Sequence, residues 1–289
     1  MNNRGDKAKG SILFLIMLAI VLLAMGTIFA LHLQDEKKKE EAQERYEQLL
    51  EQAVAESDKP IENPDKVQES VEQVQTSEQE TEVVEEENFL PNDRIDFDYL
   101  WTQNQDIVAW IEIPGTEVNY PILCSEDNEY YLLHNLDGSK GYPGCIYMET
   151  YNATDFRDPL TVLYGHNMKN GTMFGSLKKF QKEDFFNSNK ELDIYLPDRM
   201  YKYELLAVSQ YNDEHLLGQD FTANTEGGYT FTGMQGNEGT NFWEKLIQFS
   251  DNKAIFSENQ KLTEDDRFLV LSTCLGNPNK RLLVVYKRV

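Results

Sequence analysis

Apolar and polar positions follow three different regimes along the chain. From residue 11 to residue 33 no charged side chain interrupts an apolar run of 23 residues. As a helix rising 1.5 Å per residue, that run is about 34 Å long, enough to cross the hydrocarbon core of a bilayer. From 35 to 88 the pattern is polar, with apolar residues scattered singly. Only 36–55 is rich in helix formers, and its Tyr46, Leu49, Leu50, Ala53 and Val54 fit a juxtamembrane helix, less well a short self-associating coil. At Asn88-Phe-Leu-Pro91 aromatic and branched aliphatic residues become frequent and remain so to Val289, about 200 residues that can bury one sizeable core.

Within that last region short apolar, β-branched runs alternate with turn residues. The pattern predicts strands at 107–113, 118–123, 145–148, 160–164, 192–196, 200–208, 268–274 and 282–286. Pro121 marks the second as an edge strand or strand end. Residues 93–103 begin with polar capping residues and carry Phe97, Leu100 and Trp101, a short amphipathic helix. Residues 128–134 fit a helical turn or a strand. Met173, Phe174, Leu177 and Phe180 predict a helix over 172–180. A polar, Gly- and Asn-rich insertion fills 209–262 and contains one further predicted helix, 241–249. Seven or eight strands with few helices place the fold among mostly β barrels or sandwiches.

Charge changes this picture at the N-terminal end. Arg4, Lys7 and Lys9 precede the apolar run, which places the N-terminus in the cytoplasm and the rest of the chain outside the membrane. Ala24-Met-Gly26 offers a small-x-small cleavage site, but the apolar run continues past it, so a retained single-pass anchor is favoured over a cleaved leader. Residues 35–88 hold nineteen acidic and six basic side chains with almost no aromatics. A segment of that composition cannot offset its ordering entropy and is expected to be a solvated acidic stalk. The domain plan is therefore 1–34 anchor, 35–88 stalk and 89–289 globular unit. A net charge of −23 argues against nucleic acid as a partner.

Three cysteines, an odd number, leave at least one thiol free in an exported chain. Cys124 and Cys145 are read as small buried strand residues, with a disulfide between them as the alternative. Cys274 is different: it ends an apolar run, and a short turn of Gly276, Asn277, Pro278 and Asn279 leads to Arg281, which opens the next. A thiol needs a nearby base or cation to act as a nucleophile. Of the four histidines, His32 falls in the apolar run, His134 in an aromatic cluster and His215 in the insertion. His166 ends the strand Thr161-Val-Leu-Tyr-Gly-His166, and Gly165 allows a sharp turn that aims its imidazole off the sheet rim. Arg281 can stabilise the negative charge that acyl transfer develops on a carbonyl oxygen. Ser272 and Thr273 are plain strand residues or present hydroxyls and amides to a substrate. No clustered ligands point to a metal, no cofactor motif is present, and the Cys-Gly-x-Cys-Trp signature of papain-type proteases is missing.

These residues sit inside longer motifs: Trp101-x-x-Asn104-x-Asp106, Trp110-Ile-Glu-Ile-Pro-Gly-Thr116, Asn119-Tyr-Pro121, Asp127-Asn-Glu-Tyr-Tyr-Leu132, Tyr164-Gly-His166-Asn-Met-Lys-Asn-Gly-Thr-Met-Phe-Gly175, and Leu271-Ser-Thr-Cys274 followed by Arg281. In this order they resemble the class B sortases, membrane-anchored cysteine transpeptidases of Gram-positive bacteria. The resemblance implies a sortase-type closed β-barrel, with short N-terminal helices and a helix in the insertion. It implies His166, Cys274 and Arg281 as the catalytic set, no cofactor, and substrate contacts at Asn128, Leu132, Ser272 and Thr273. It further implies that exported proteins bearing a C-terminal sorting signal of the Asn-Pro-x-Thr type are joined to an amine of a cell-wall precursor or crossbridge. A pilin lysine is the alternative acceptor, and a non-catalytic surface domain the alternative from another class. One departure stands out. Class B enzymes often carry an acidic residue after the cysteine and a longer loop before the arginine, whereas here Leu275-Gly276 follows and only six residues intervene. That departure bears on the wall of the substrate groove.

Overall fold

The computed structural model describes residues 3–54, 90–212, 221–223, 229–231 and 255–289, without 259, 261, 264 and 278. The predicted helix at 241–249, His215 and the stalk from 55 to 89 lie outside the described residues.

Helix α1 (Asn3–Ala53) runs unbroken for 51 residues. Its first half is long and apolar enough to cross a membrane, with Phe14 to Leu33 largely exposed. Its second half departs from the expected solvated stalk. Ala42, Tyr46, Leu49 and Ala53 recur four, three and four residues apart, which places them on one helical face, and all four are buried against the globular unit. The many charges of this stretch occupy the other faces. Burying Tyr46 and Leu49 contributes on the order of 2 kcal/mol each. The chain is then tied back by Asp96, whose backbone N–H donates to the Ala53 carbonyl at 2.9 Å and whose carboxylate caps helix α2 (Phe97–Gln103) at the Tyr99 N–H.

Among the described residues eleven strands follow: β1 (Ile107–Glu112), β2 (Asn119–Leu123), β3 (Ile146–Met148), β4 (Leu160–Tyr164), β5 (Glu191–Tyr195), β6 (Met200–Asn212), β7 (Phe221–Ala223), β8 (Tyr229–Phe231), β9 (Phe256–Ser257), β10 (Phe268–Cys274) and β11 (Lys280–Arg288). Eight of them close a barrel in the order β11-β10-β4-β3-β2-β1-β5-β6, with β6 pairing back onto β11. Strand β9 adds to β6, and β7 with β8 forms a separate ribbon. Closure depends on β6, whose 13 residues pair with β5 over 200–204 and with β11 over 203–212. Pro121 sits inside this barrel and not at an edge; the parallel ladder from β2 to β3 begins only at Ile122, beyond the proline.

Strands β4 and β10, the middle of β11 and residues 205–208 of β6 are buried on both faces. Leu269, Leu271, Leu282 and Val284 join the barrel interior, and the alternate positions Phe268, Val270, Leu283 and Val285 form a second apolar cluster outside it. Their runs are therefore continuously apolar instead of alternating. The helix expected over 172–180 is a 3-10 helix (Phe174–Gln181). Phe174, Leu177 and Phe180 are three residues apart, a spacing that stacks them on one edge at three residues per turn, and all three are fully buried. The segment 128–134 resolves into a single turn, α3 (Tyr130–Leu133).

Candidate active site

The barrel's registers bring the strand-end residues to one level. Parallel strands β4 and β10 pair as far as Tyr164 with Ser272. Two residues further along each chain stand His166 and Cys274. On the other side of β10, Cys274 is the direct antiparallel partner of Arg281. Directly opposed residues share a face, with Cβ atoms about 5 Å apart. Three adjacent strands thus end with an imidazole, a thiol and a guanidinium at a single rim. Cys274 is exposed after six buried residues in β10, whereas His166 and Arg281 are half-buried.

Hydrogen bonds stitch the rim together. The Gly165 N–H donates to the Ser272 carbonyl at 3.3 Å, and the Thr273 hydroxyl donates to the Gly165 carbonyl at 2.7 Å. The Asn167 side-chain amide donates to the Cys274 carbonyl at 2.7 Å. The residues flanking the histidine are therefore fastened to those at the cysteine. His166 Nε2 lies 2.8 Å from the Leu132 carbonyl. A carbonyl only accepts, so Nε2 carries a hydrogen and Nδ1 is the nitrogen that can take up or release a proton. The ring also packs against Tyr142, centroids 4.9 Å apart.

Gly165 has a role other than the expected sharp turn. Its backbone is not in the left-handed region. What it needs is space: a Cβ there would lie 2.5 Å from Ile146 Cδ1 and 2.8 Å from Phe174 Cδ2. Gly165→Ala is expected to cost roughly 1–3 kcal/mol by overpacking a rigid core, read as a lower midpoint in chemical denaturation.

The four residues expected to contact substrate are placed differently from one another. Leu132 is half-buried and supplies the carbonyl that holds His166. Ser272 and Thr273 are buried, and the Thr273 hydroxyl is used inside the rim. Asn128 engages its side chain at both ends, donating to Glu149 and accepting from the Thr150 N–H at 3.0 Å. Asn128 is half-buried with both ends of its side chain engaged, whereas Ser272 and Thr273 lie within the buried part of β10.

Glu149 itself was not anticipated. It is fully buried just past β3 and accepts from Asn128, from the Thr150 hydroxyl at 3.1 Å and from the Tyr164 hydroxyl at 2.8 Å. Burial, reinforced by the Glu149 charge, pushes the phenols of Tyr147 and Tyr164 well up, while the positive charge of Arg281 acts in the opposite direction. A carboxylate and a guanidinium thus act on the same pair of neighbouring tyrosines, whose rings are tilted 33° to each other with centroids 5.4 Å apart. A glutamate between a strand end and a polar loop carries no sequence signal of such burial.

The other candidates separate cleanly. Exposed His134 stacks on Tyr130, with Nδ1 2.8 Å from the Tyr130 carbonyl. All three cysteines are free thiols, so the disulfide alternative is excluded. Cys145 is buried just before β3 and Cys124 half-buried just after β2. Burial pushes the Cys145 thiol up to about 12, and that of Cys124 upward too. Among the described residues no group of three or more metal-ligating side chains comes together. In the folded protein at pH 8, iodoacetamide is therefore expected to alkylate Cys274 first and leave Cys145 unmodified, read by peptide mass mapping; labelling of Cys145 ahead of Cys274 would contradict this.

The Sortase domain family matches residues 111–289. The chain belongs to the sortase family. Sortase B of Listeria monocytogenes is 33% identical over 172 residues, covering 59% of this chain and 63% of that protein, just under two thirds of its length. Sortase B of Staphylococcus aureus is 29% identical over 198 residues, covering 67% of this chain and 75% of that one. The crystal structure of sortase B from Clostridium perfringens superposes with a TM-score of 0.57 at 30% identity, covering 67% of this chain and 100% of that one. These relatives place this sortase in class B. Its eight-stranded closed barrel with one added strand is the expected sortase architecture.

One further element distinguishes this sortase's rim. The short connection between β10 and β11 is a tight turn, closed by the Leu275 N–H donating to the Lys280 carbonyl at 3.0 Å. Leu275 packs partly against the barrel core, so the first residue after the cysteine is apolar and held down. On the side of His166, a groove of about 620 Å³ opens between α1 and the loop that follows the histidine. Glu36, Lys39, Glu40, Tyr142, Asn167 and Lys169 are among its lining residues.

Proposed function

We propose that this sortase is a membrane-anchored transpeptidase in which Cys274 is the nucleophile, His166 the proton carrier and Arg281 the oxyanion partner. The observation that carries this reading is the common level of the three residues at the ends of β4, β10 and β11. The Cys274 thiolate adds to the carbonyl of the threonine in a sorting signal of the Asn-Pro-x-Thr type. Negative charge moves to the carbonyl oxygen, where Arg281 and backbone amides stabilise it. The carbon–nitrogen bond then breaks as protonated His166 gives its proton to the leaving amine, and a thioester remains on Cys274. An incoming amine attacks that thioester and loses a proton to His166. The carbon–sulfur bond breaks, the thiolate is restored and a new amide is formed.

The anchor fits this chemistry. Arg4, Lys7 and Lys9 set the N-terminus in the cytoplasm and the catalytic unit outside, where exported substrates and cell-wall precursors meet. The catalytic unit is taken to comprise residues 89–289 together with the docked half of α1. The acceptor amine is taken to approach through the groove beside His166. The test uses the full chain in detergent micelles, a peptide in which further residues follow the threonine of an Asn-Pro-x-Thr signal, and an amine acceptor. Mass spectrometry should find an acyl adduct on the Cys274 peptide that disappears when the amine is added. An adduct on any other residue, or none, sinks the reading. Offering a crossbridge peptide and a pilin lysine peptide in competition distinguishes the two acceptors.

A further inference from the structure

Helix α1 does more than tether the barrel. Its Tyr46 is buried between the two segments that flank His166. On one side its hydroxyl lies 2.9 Å from the Gly144 carbonyl and 3.2 Å from Cys145 Sγ. Gly144, at φ +68°, brings the chain so close to the imidazole that a Cβ there would lie 3.2 Å from His166 Cδ2. Two residues earlier, Tyr142 lays its ring against the same imidazole. On the other side the Tyr46 ring meets Tyr120 edge-on, centroids 5.5 Å apart. The Tyr120 hydroxyl accepts from the Met173 N–H at 3.3 Å, and the next N–H, of Phe174, donates to the His166 carbonyl at 3.0 Å.

We propose that Tyr46, on the helix that carries the membrane span, is a positioning residue for His166, holding both segments that confine the imidazole. The proposal rests on the catalytic reading of His166 given above. Its physical content is that the anchor helix is the rear support of the catalytic site. Without the Tyr46 hydroxyl, the Gly144 carbonyl loses its buried donor, and the 142–145 segment can move away from the ring. A displacement of about 1 Å at a catalytic group can cost up to about a hundredfold in rate, so a partial loosening should cost about tenfold.

The test compares the full chain with Tyr46→Phe, which keeps the ring and its packing on Tyr120 and deletes only the hydroxyl. Rates are expressed per reactive Cys274 thiol, so that unfolded protein does not count. The expected result is a drop of about tenfold in kcat, with KM for the signal peptide changed less than about twofold, and an altered pH profile. Arg45→Ala, on the same helix as Tyr46, removes an exposed ion pair with Asp137 of a loop and should leave kcat unchanged. In parallel, the ring resonances of His166 in carbon-13-histidine-labelled full chain, assigned with His166→Asn, should move in Tyr46→Phe and stay in place in Arg45→Ala. Unmoved His166 resonances in Tyr46→Phe overturn the proposal. So does a kcat per reactive thiol equal to that of the parent. If the parent forms no Cys274 adduct, the catalytic reading falls, yet the resonances still decide whether Tyr46 positions the ring.

Discussion

Cys274→Ala should yield a protein that folds as the parent does and forms no acyl adduct with a sorting-signal peptide. Cys274 is the one exposed residue of β10, so its side chain supports little of the core. Substitutions at such sites usually change stability by less than about 0.5 kcal/mol, and the denaturation midpoint should barely move. The chemistry, in contrast, loses the atom that forms the covalent bond. Removing the nucleophile of a comparable hydrolase costs roughly six orders of magnitude in kcat, so no adduct should be detectable by intact-mass measurement on any practical timescale. The other thiols offer no substitute. Cys145 is buried with its thiol pushed up to about 12, which leaves almost no thiolate at neutral pH, and Cys124 is shifted in the same direction by burial. An adduct that persists in Cys274→Ala with an unchanged midpoint would assign the nucleophile elsewhere.

That Cys274 stands out in the sequence as the candidate nucleophile follows from where it sits. Strands β4, β10 and β11 are buried on both faces, so their sequences are uninterrupted apolar runs, and a polar residue at the end of such a run marks a rim. His166, Cys274 and Arg281 all announce themselves in this way. What brings them together is a parallel register between strands over a hundred residues apart, and no local pattern encodes that. The same limit applies to barrel closure, which needs β6 to run on to Asn212 and meet β11.

Composition misled in one place. The nineteen acidic residues between 35 and 88 describe a solvated segment on average, yet Ala42, Tyr46, Leu49 and Ala53 use one face of α1 to bury themselves in the barrel unit. Averages over a segment hide a stripe that a single helical face reveals. Side-chain roles were harder still. Asn128 donates to Glu149, a buried carboxylate whose donors come from three separate stretches of chain. A buried charge is tolerable only when such partners converge, and convergence is a property of the tertiary fold.

Arg281 allows the sharpest separation between two catalytic roles. It stands directly opposite Cys274 in the β10–β11 ladder, and its side chain is anchored on a strand instead of a loop. If its guanidinium stabilises the oxyanion, Arg281→Ala should lower kcat by about a hundred- to a thousandfold and change KM for the signal peptide little, because the charge it meets exists only in the transition state. If it binds the substrate backbone before reaction, KM should rise and kcat should hold. Arg281→Lys refines the comparison. Lysine restores the positive charge but not the planar fork, so recovery of most of the rate would mean that charge alone is used. Failure to recover would mean that two directed N–H donors are needed. We expect the first signature for alanine and partial recovery for lysine. The short 275–280 turn bears on this outcome, because Leu275, the residue after Cys274, is packed against the core. A KM-dominated loss in Arg281→Ala would move the oxyanion role to backbone amides and leave Arg281 as a substrate clamp.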